Sequence, residues 1–257
     1  MTLPDQPLLI ADQISHTYTG GSGTLLALDD VTLHLARESF VCLVGPSGCG
    51  KSTLLRILAG LLTPTTGHVL LENQPITHPQ RRIGIVFQQA NLMPWRTVYG
   101  NLMLPLELAG LPILARAERM NAMLELTGLD GFADAYPAEL SGGMAQRVAI
   151  GRALIHHPEV LLLDEPFGAL DALTREQMSE ELLHIWVKYR KTVLMVTHSI
   201  PEAVLLADRV LVMSPRPGAL IADITIPLPR PRSLDLLHQP EFVALTEQLR
   251  HHIHMAS

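Results

Sequence analysis

Residues 45–53 read Gly-Pro-Ser-Gly-Cys-Gly-Lys-Ser-Thr, directly after the apolar run Phe40, Val41, Cys42, Leu43 and Val44. The pattern Gly-x-x-x-x-Gly-Lys-Ser, set between an apolar strand and a helical stretch, leaves few architectures open. Its glycines let the backbone curl so that successive N–H groups face phosphate oxygens. The helix that follows adds a partial positive charge at its start. Lys51 has the reach for terminal phosphates, and the Ser52 hydroxyl suits a divalent cation. Gly45, Pro46, Ser47, Gly48, Cys49, Gly50, Lys51, Ser52 and Thr53 are the expected phosphate-binding residues.

The rest of the chain alternates short apolar runs with helical patterns, which predicts an α/β fold with a largely parallel sheet. Strands are expected at residues 39–44, 82–87, 160–163 and 192–196, and helices at 51–59, 141–156 and 171–189. Residues 9–35, with Gly20, Gly21 and Gly23, suggest a small antiparallel β element. Residues 90–140 show helical patterning broken by Pro94, Pro105, Pro112 and Gly128, without a convincing strand. One domain, 1–257, is therefore expected. Residues 8–89 and 141–225 form its core with the β element, 90–140 an inserted helical subdomain, and 226–257 a short tail with β-like residues 219–226 before it and a final helix.

Lys and Arg total 19 against 25 Asp and Glu, a formal charge of -6. A nucleic-acid binder would show a basic face, so no nucleic-acid partner is expected. Arg81-Arg82 and Arg230-Pro231-Arg232 read as solvated surface, and His251, His252 and His254 as a solvated helix end. Cys42 and Cys49 suggest neither a disulfide framework nor a zinc site. The N-terminus lacks a basic and apolar leader, and no run of about 18 uncharged apolar residues follows. A soluble, cytoplasmic chain is expected, with any membrane role supplied by a partner.

Val160, Leu161, Leu162 and Leu163 run into Asp164 and Glu165, a buried strand that delivers two carboxylates at its end. Asp164 would hold Mg²⁺, and Glu165 would act as general base on an attacking water. Leu140-Ser141-Gly142-Gly143 opens a second helix whose start can bind an anion. A single active site has no need of two such helix ends, whereas a head-to-tail dimer does. Residues 140–154 (LSGGMAQRVAIGRAL) resemble the signature motif of ABC ATPases, and the resemblance extends from about residue 8 to 225.

That resemblance implies a P-loop ATPase core using ATP and Mg²⁺. It places Gln88 in the loop that senses the metal and γ-phosphate, so Ser52, Gln88 and Asp164 are the implied Mg²⁺ ligands. His198 would contact the γ-phosphate, and Tyr18 would stack on adenine. Glu165, His198 and Gln88 are the implied catalytic set. Ser141, Gly142, Gly143 and Asp171 would serve the nucleotide of the opposite chain in a homodimer. Met144, Gly151 and Ser199 depart from the common pattern, leaving Ser141 and Gly143 in place.

The strings at 93–97, 167–175 and 213–218 are similar to importer ATPases for nitrate, sulfonate and taurine. They imply an ATPase at the cytoplasmic face of the inner membrane, working with integral membrane permease subunits and an extracytoplasmic substrate-binding protein. In the apolar stripe at 92–106 most side chains are expected to form the subdomain's own core, and a groove near residues 88–95 would receive a permease helix. An exporter, another membrane complex or a soluble non-transport ABC ATPase remain as alternatives. Only ninety positions separate Lys51 from Ser141, too few for the long coiled coil of chromosome ATPases.

Overall fold

The computed structural model describes residues 7–20 and 23–255; residues 1–6, 21–22 (Gly21 among them) and 256–257 lie outside them. β1 (Pro7–Gly20) and β2 (Gly23–Ala36) pair antiparallel. β3 (Phe40–Val44) runs into α1 (Lys51–Leu58), followed by β4 (Thr66–Leu71), β5 (Gln74–Pro75) and β6 (Ile83–Val86). Next come α2 (Val98–Leu108), α3 (Ile113–Thr127), two short 3-10 turns and α4 (Gly142–Leu154). β7 (Val160–Asp164), α5 (Ala172–Tyr189), β8 (Thr192–Val196), α6 (Ile200–Leu206) and β9 (Arg209–Met213) complete the core. β10 (Leu220–Thr225) and α7 (Pro240–Met255) end the chain.

Two sheets result. The antiparallel one has the order β2-β1-β4-β5, and the other β10-β9-β3-β8-β7-β6. In the second sheet all pairings are parallel except β10 with β9. Its central strands β3, β8 and β7 are buried along their whole length and almost wholly apolar because both faces are covered. Phe40, Cys42, Val44, Leu161, Leu163, Val193 and Met195 point toward the helices of one layer. Val41, Leu43, Val160, Leu162, Leu194 and Val196 point toward α1 and the antiparallel sheet. A one-residue slip would exchange these sets, so register is strongly specified.

Between residues 90 and 140 there are helices and turns and no strand, as the patterning predicts. Val98, Leu102, Met103 and Leu106 are buried against Met120, Met123, Val148 and Ala149. Gly151 has a packing reason: a Cβ there would lie 2.9 Å from Leu102 Cδ2 and 3.0 Å from Thr127 Cγ2. The residue 93–97 loop is wound around fully buried Asn101, whose Oδ1 accepts from Met93 N at 2.7 Å. Its amide donates to the carbonyls of Met93, Arg96 and Thr97 at 3.0–3.2 Å. Arg152 of α4 donates to the carbonyls of Ala90 and Asn91 at 2.8 and 2.9 Å.

The tail corrects one expectation. Arg230 and Arg232 are not solvated surface: Arg232 is 6% exposed. The last carbonyls of a helix lack partners within it. Arg232 supplies them, donating to Val204, Leu205 and Ala207 at 2.7–3.2 Å, and to Ile226 and Leu228 at 3.0–3.3 Å. Arg230 caps Leu206 O at 2.6 Å, bonds Asp208 and lies 4.0 Å from the centroid of Trp186. Phe242 and Leu249 of α7 are buried in the same core. His251 is exposed on α7, and the side chain of His254 lies outside the described ones. Arg232→Met should therefore cost about 2–4 kcal/mol, because several buried carbonyls lose their only charged donor. Urea unfolding measures it, and an unchanged midpoint would refute the capping role.

Candidate functional site

β3, β8 and β7 are neighbours running in one direction, so the loops after them leave the same edge of the sheet. Ligands of open α/β sheets bind at that carboxyl edge. Residues 45–50 turn out of β3 with Gly48 at φ +74° and Gly50 at φ +109°, conformations that favour glycine. A Cβ at Gly50 would also sit 2.9 Å from Ala27 O, so the loop can lie close on β2. Lys51 is buried, and its Nζ donates to Gly45 O at 2.9 Å and Pro46 O at 2.8 Å. The charge is thus held inside the curl of the loop. Tyr18 bonds Thr53 Oγ1 through its hydroxyl at 3.2 Å and meets the His16 ring edge-on. Tyr18, Leu25, Ser47, Gly48, Lys51, Ser52, Thr53 and Glu165 line one open cavity.

Asp164 ends β7 nearly buried, and its Oδ1 accepts from Ser52 Oγ at 3.0 Å. Burial pushes its carboxyl above the usual carboxylate range; the Ser52 hydrogen bond opposes this and the Glu165 charge adds to it. Together the Ser52 hydroxyl and the Asp164 carboxylate offer oxygen donors suited to a hard cation. Glu165 takes a left-handed backbone, φ +45°, which costs a non-glycine residue about 1–3 kcal/mol. The turn aims its carboxylate at the cavity and at His198, whose Nδ1 lies 3.3 Å from Glu165 Oε2. A Cβ on Gly168 would lie 3.4 Å from Glu165 Oε2 and 3.5 Å from Gln88 Nε2, so both side chains flank that glycine.

Ser141, Gly142, Gly143 and Asp171 do not line this cavity. Ser141 caps α4 by accepting from Met144 N at 3.3 Å, and Asp171 caps α5 by accepting from Thr174 N at 3.0 Å. These two helix starts lie together: a Cβ at Gly143 would come within 2.9 Å of Thr174 Cγ2. Ser141 and Gly142 are exposed.

Arg216 is a cavity-lining residue that sequence reasoning did not single out. Its Nε and Nη2 both lie 3.1 Å from Gly48 O, across 168 positions of chain. The signal was the 213–218 string itself, which says nothing of what its arginine touches.

Residues 28–168 match the family described as "ABC transporter". The chain is 44% identical over 242 residues to the nitrate import ATP-binding protein of Synechocystis sp., covering 92% of this chain and 91% of that one. It is 46% identical over 238 residues to the taurine import ATP-binding protein of Rhizobium johnstonii, covering 90% of each. Among solved structures, a dimeric ATP-binding cassette in a post-hydrolysis state with ADP and Pi matches with TM-score 0.75 and 35% identity. That match spans 85% of this chain and 98% of the other. The chain belongs to the ABC transporter family. It is an ATP-binding enzyme of that family, an ATPase.

The raised pKa of Asp164 has a direct consequence for stability. A carboxyl that holds its proton more tightly when folded contributes stability below its unfolded pKa, and loses it as pH rises through the folded pKa. At pH 7.5 the ionised group therefore weakens the nucleotide-free chain. Asp164→Asn, which can still accept from Ser52, should raise the nucleotide-free melting temperature at pH 7.5. The gain should shrink as pH falls through the carboxylate range; a gain independent of pH would contradict the assignment to this ionisation.

Proposed function

We propose that this ATPase energises uptake of a small molecule through a separate membrane permease, hydrolysing ATP between two copies of the chain. One observation carries the reading. Lys51, Ser52 and Glu165 share a cavity, while the exposed α4 start at Ser141 and Gly142 stands apart from it.

In this reading Tyr18 stacks on adenine. The backbone of residues 45–53 holds the phosphates, with Gly45, Pro46, Ser47, Gly48, Cys49, Gly50, Ser52 and Thr53 shaping the cradle. Lys51 offsets the charge of the terminal phosphates. Glu165 takes the proton of the attacking water, and His198 holds the γ-phosphate beside it. Ser52, Asp164 and Gln88 would hold Mg²⁺, which when bound neutralises charge between the outer phosphates. Ser141, Gly142, Gly143 and Asp171 close on the nucleotide of the opposite chain, an arrangement that hydrolysis reopens.

No helix of the described residues is long and apolar enough to cross a membrane. In this reading the permease is a separate subunit, and this chain sits peripherally at its cytoplasmic face. Trp95 supports the docking side of the reading. It is 72% exposed on the loop pinned by Asn101, in the same connecting segment as exposed Gln88 and Gln89. The cargo class follows the importers for nitrate and taurine that the chain resembles, and an extracytoplasmic binding protein would select it.

Glu165→Gln should keep ATP affinity and lose turnover by at least about 100-fold, read by phosphate release and nucleotide titration. Wild-type turnover would remove Glu165 as the base. Ser141→Arg should bind ATP yet stay monomeric in the Glu165→Gln background; normal dimerisation by light scattering would discard the shared site. Affinity purification from solubilised membranes should bring a multi-spanning permease at one-to-one stoichiometry. Recovery of soluble proteins alone would discard the importer and leave the ATPase.

A further inference from the structure

Arg175 sits one turn into α5, and its guanidinium reaches back across two loops. Nη2 donates to Leu170 O at 2.9 Å and Nε to Phe167 O at 3.4 Å. Nε also lies 3.6 Å from Glu202 Oε1. The other oxygen, Glu202 Oε2, accepts from Thr197 Oγ1 at 2.7 Å. That same hydroxyl accepts from Ser199 N at 3.0 Å, and Glu202 N returns to Ser199 Oγ at 3.4 Å.

The contacts close into a ring. Phe167 and Leu170 lie on the loop leaving Glu165, which is itself tied back by Gly168 N donating to Glu165 O at 3.0 Å. Thr197 and Ser199 bracket His198. The ring therefore ends on Glu165 Oε2 and His198 Nδ1, the pair 3.3 Å apart. Glu202 is 8% exposed, and burial raises its carboxyl pKa, with the Thr197 bond and the Arg175 charge opposing the rise. An ion pair between nearly buried Glu202 and half-buried Arg175 is a poor source of net stability, whereas a planar cation with several fixed donors is well suited to holding separate acceptors in one geometry.

We propose that Arg175 is a positioning residue for hydrolysis, fixing the 167–171 loop to the 197–199 loop through Glu202 and thereby setting His198 against Glu165. The proposal rests on the reading of Glu165 and His198 given above. Its effect falls on turnover, because neither Arg175 nor Glu202 lines the nucleotide cavity.

The test is steady-state ATPase kinetics with nucleotide titration on full-length variants. Arg175→Ala should lower kcat about ten- to hundredfold, as small displacements of reacting groups do. KM and ATP affinity should stay within about twofold. Arg175→Lys, with a charge but no fork, should recover only part of kcat. Glu202→Gln keeps an acceptor for Thr197 and loses the ion pair, so it should show a smaller kcat loss at the same KM, even if Arg175→Ala folds poorly. The double variant should be no slower than Arg175→Ala alone. Unchanged kcat in both single variants, equal loss through KM, or additive losses would overturn the proposal. Glu165→Gln run alongside separates the failures. Inactive Glu165→Gln with normal Arg175→Ala discards the ring alone, whereas normal turnover in Glu165→Gln discards the reading beneath it.

Discussion

Parallel pairing of β3 with β8, and of β8 with β7, is the constraint from which the site follows. Three strands running the same way must deliver their loops to one edge, and here those loops carry Lys51, Asp164 with Glu165, and His198. Apart from adjacent Asp164 and Glu165, none of these residues is near another in sequence. Burial of both sheet faces prevents the strands from slipping, so the loops inherit the precision of the core. The same pairing explains why the apolar runs are uninterrupted, and why the carboxylates appear only where β7 ends.

Charge is distributed across that edge in two ways. Lys51 is held by two carbonyl oxygens and the Cys49 sulfur, a neutral cradle in which the ammonium keeps its attraction for an incoming anion. Asp164 meets a hydroxyl and a neighbouring acid, so its ionised form is poorly compensated until a cation or nucleotide is bound. The nucleotide-free chain thus carries electrostatic strain at the end of β7 and backbone strain one residue later at Glu165. Both are localised where the chemistry is proposed, and the surrounding strands pin them in place.

Much of this was legible in the chain. The glycine-rich loop, the strand ending in two acids and the serine-glycine helix start are local patterns whose physics is contained in a few residues. Strand β9 and helix α6 were missed for local reasons: β9 opens on Arg209, and α6 spans only seven residues beginning with Ile200 and Pro201. β4 was missed because three of its six residues are exposed and it carries Gly67. Arg175, Glu202 and Arg216 could not be read at all, since their meaning lies in contacts between distant segments. Arg230 and Arg232 misled because charge ordinarily implies solvent; nothing in their neighbours announces that the end of α6 needs donors.

The glycine at 151 reaches further than its own contact. By letting α4 approach α2 and α3, it joins three helices into one packed body, and Arg152 fastens residues 90 and 91 to the same body. Residues 98–106, 120–124 and 148–154 thus contribute to one buried cluster, which resists bending between these helices. Gln88 lies just ahead of this body, and its side chain flanks the same glycine as Glu165. In the proposed docking, a load on Trp95 would therefore be felt beside the nucleotide cavity rather than spent within the loop that Asn101 holds.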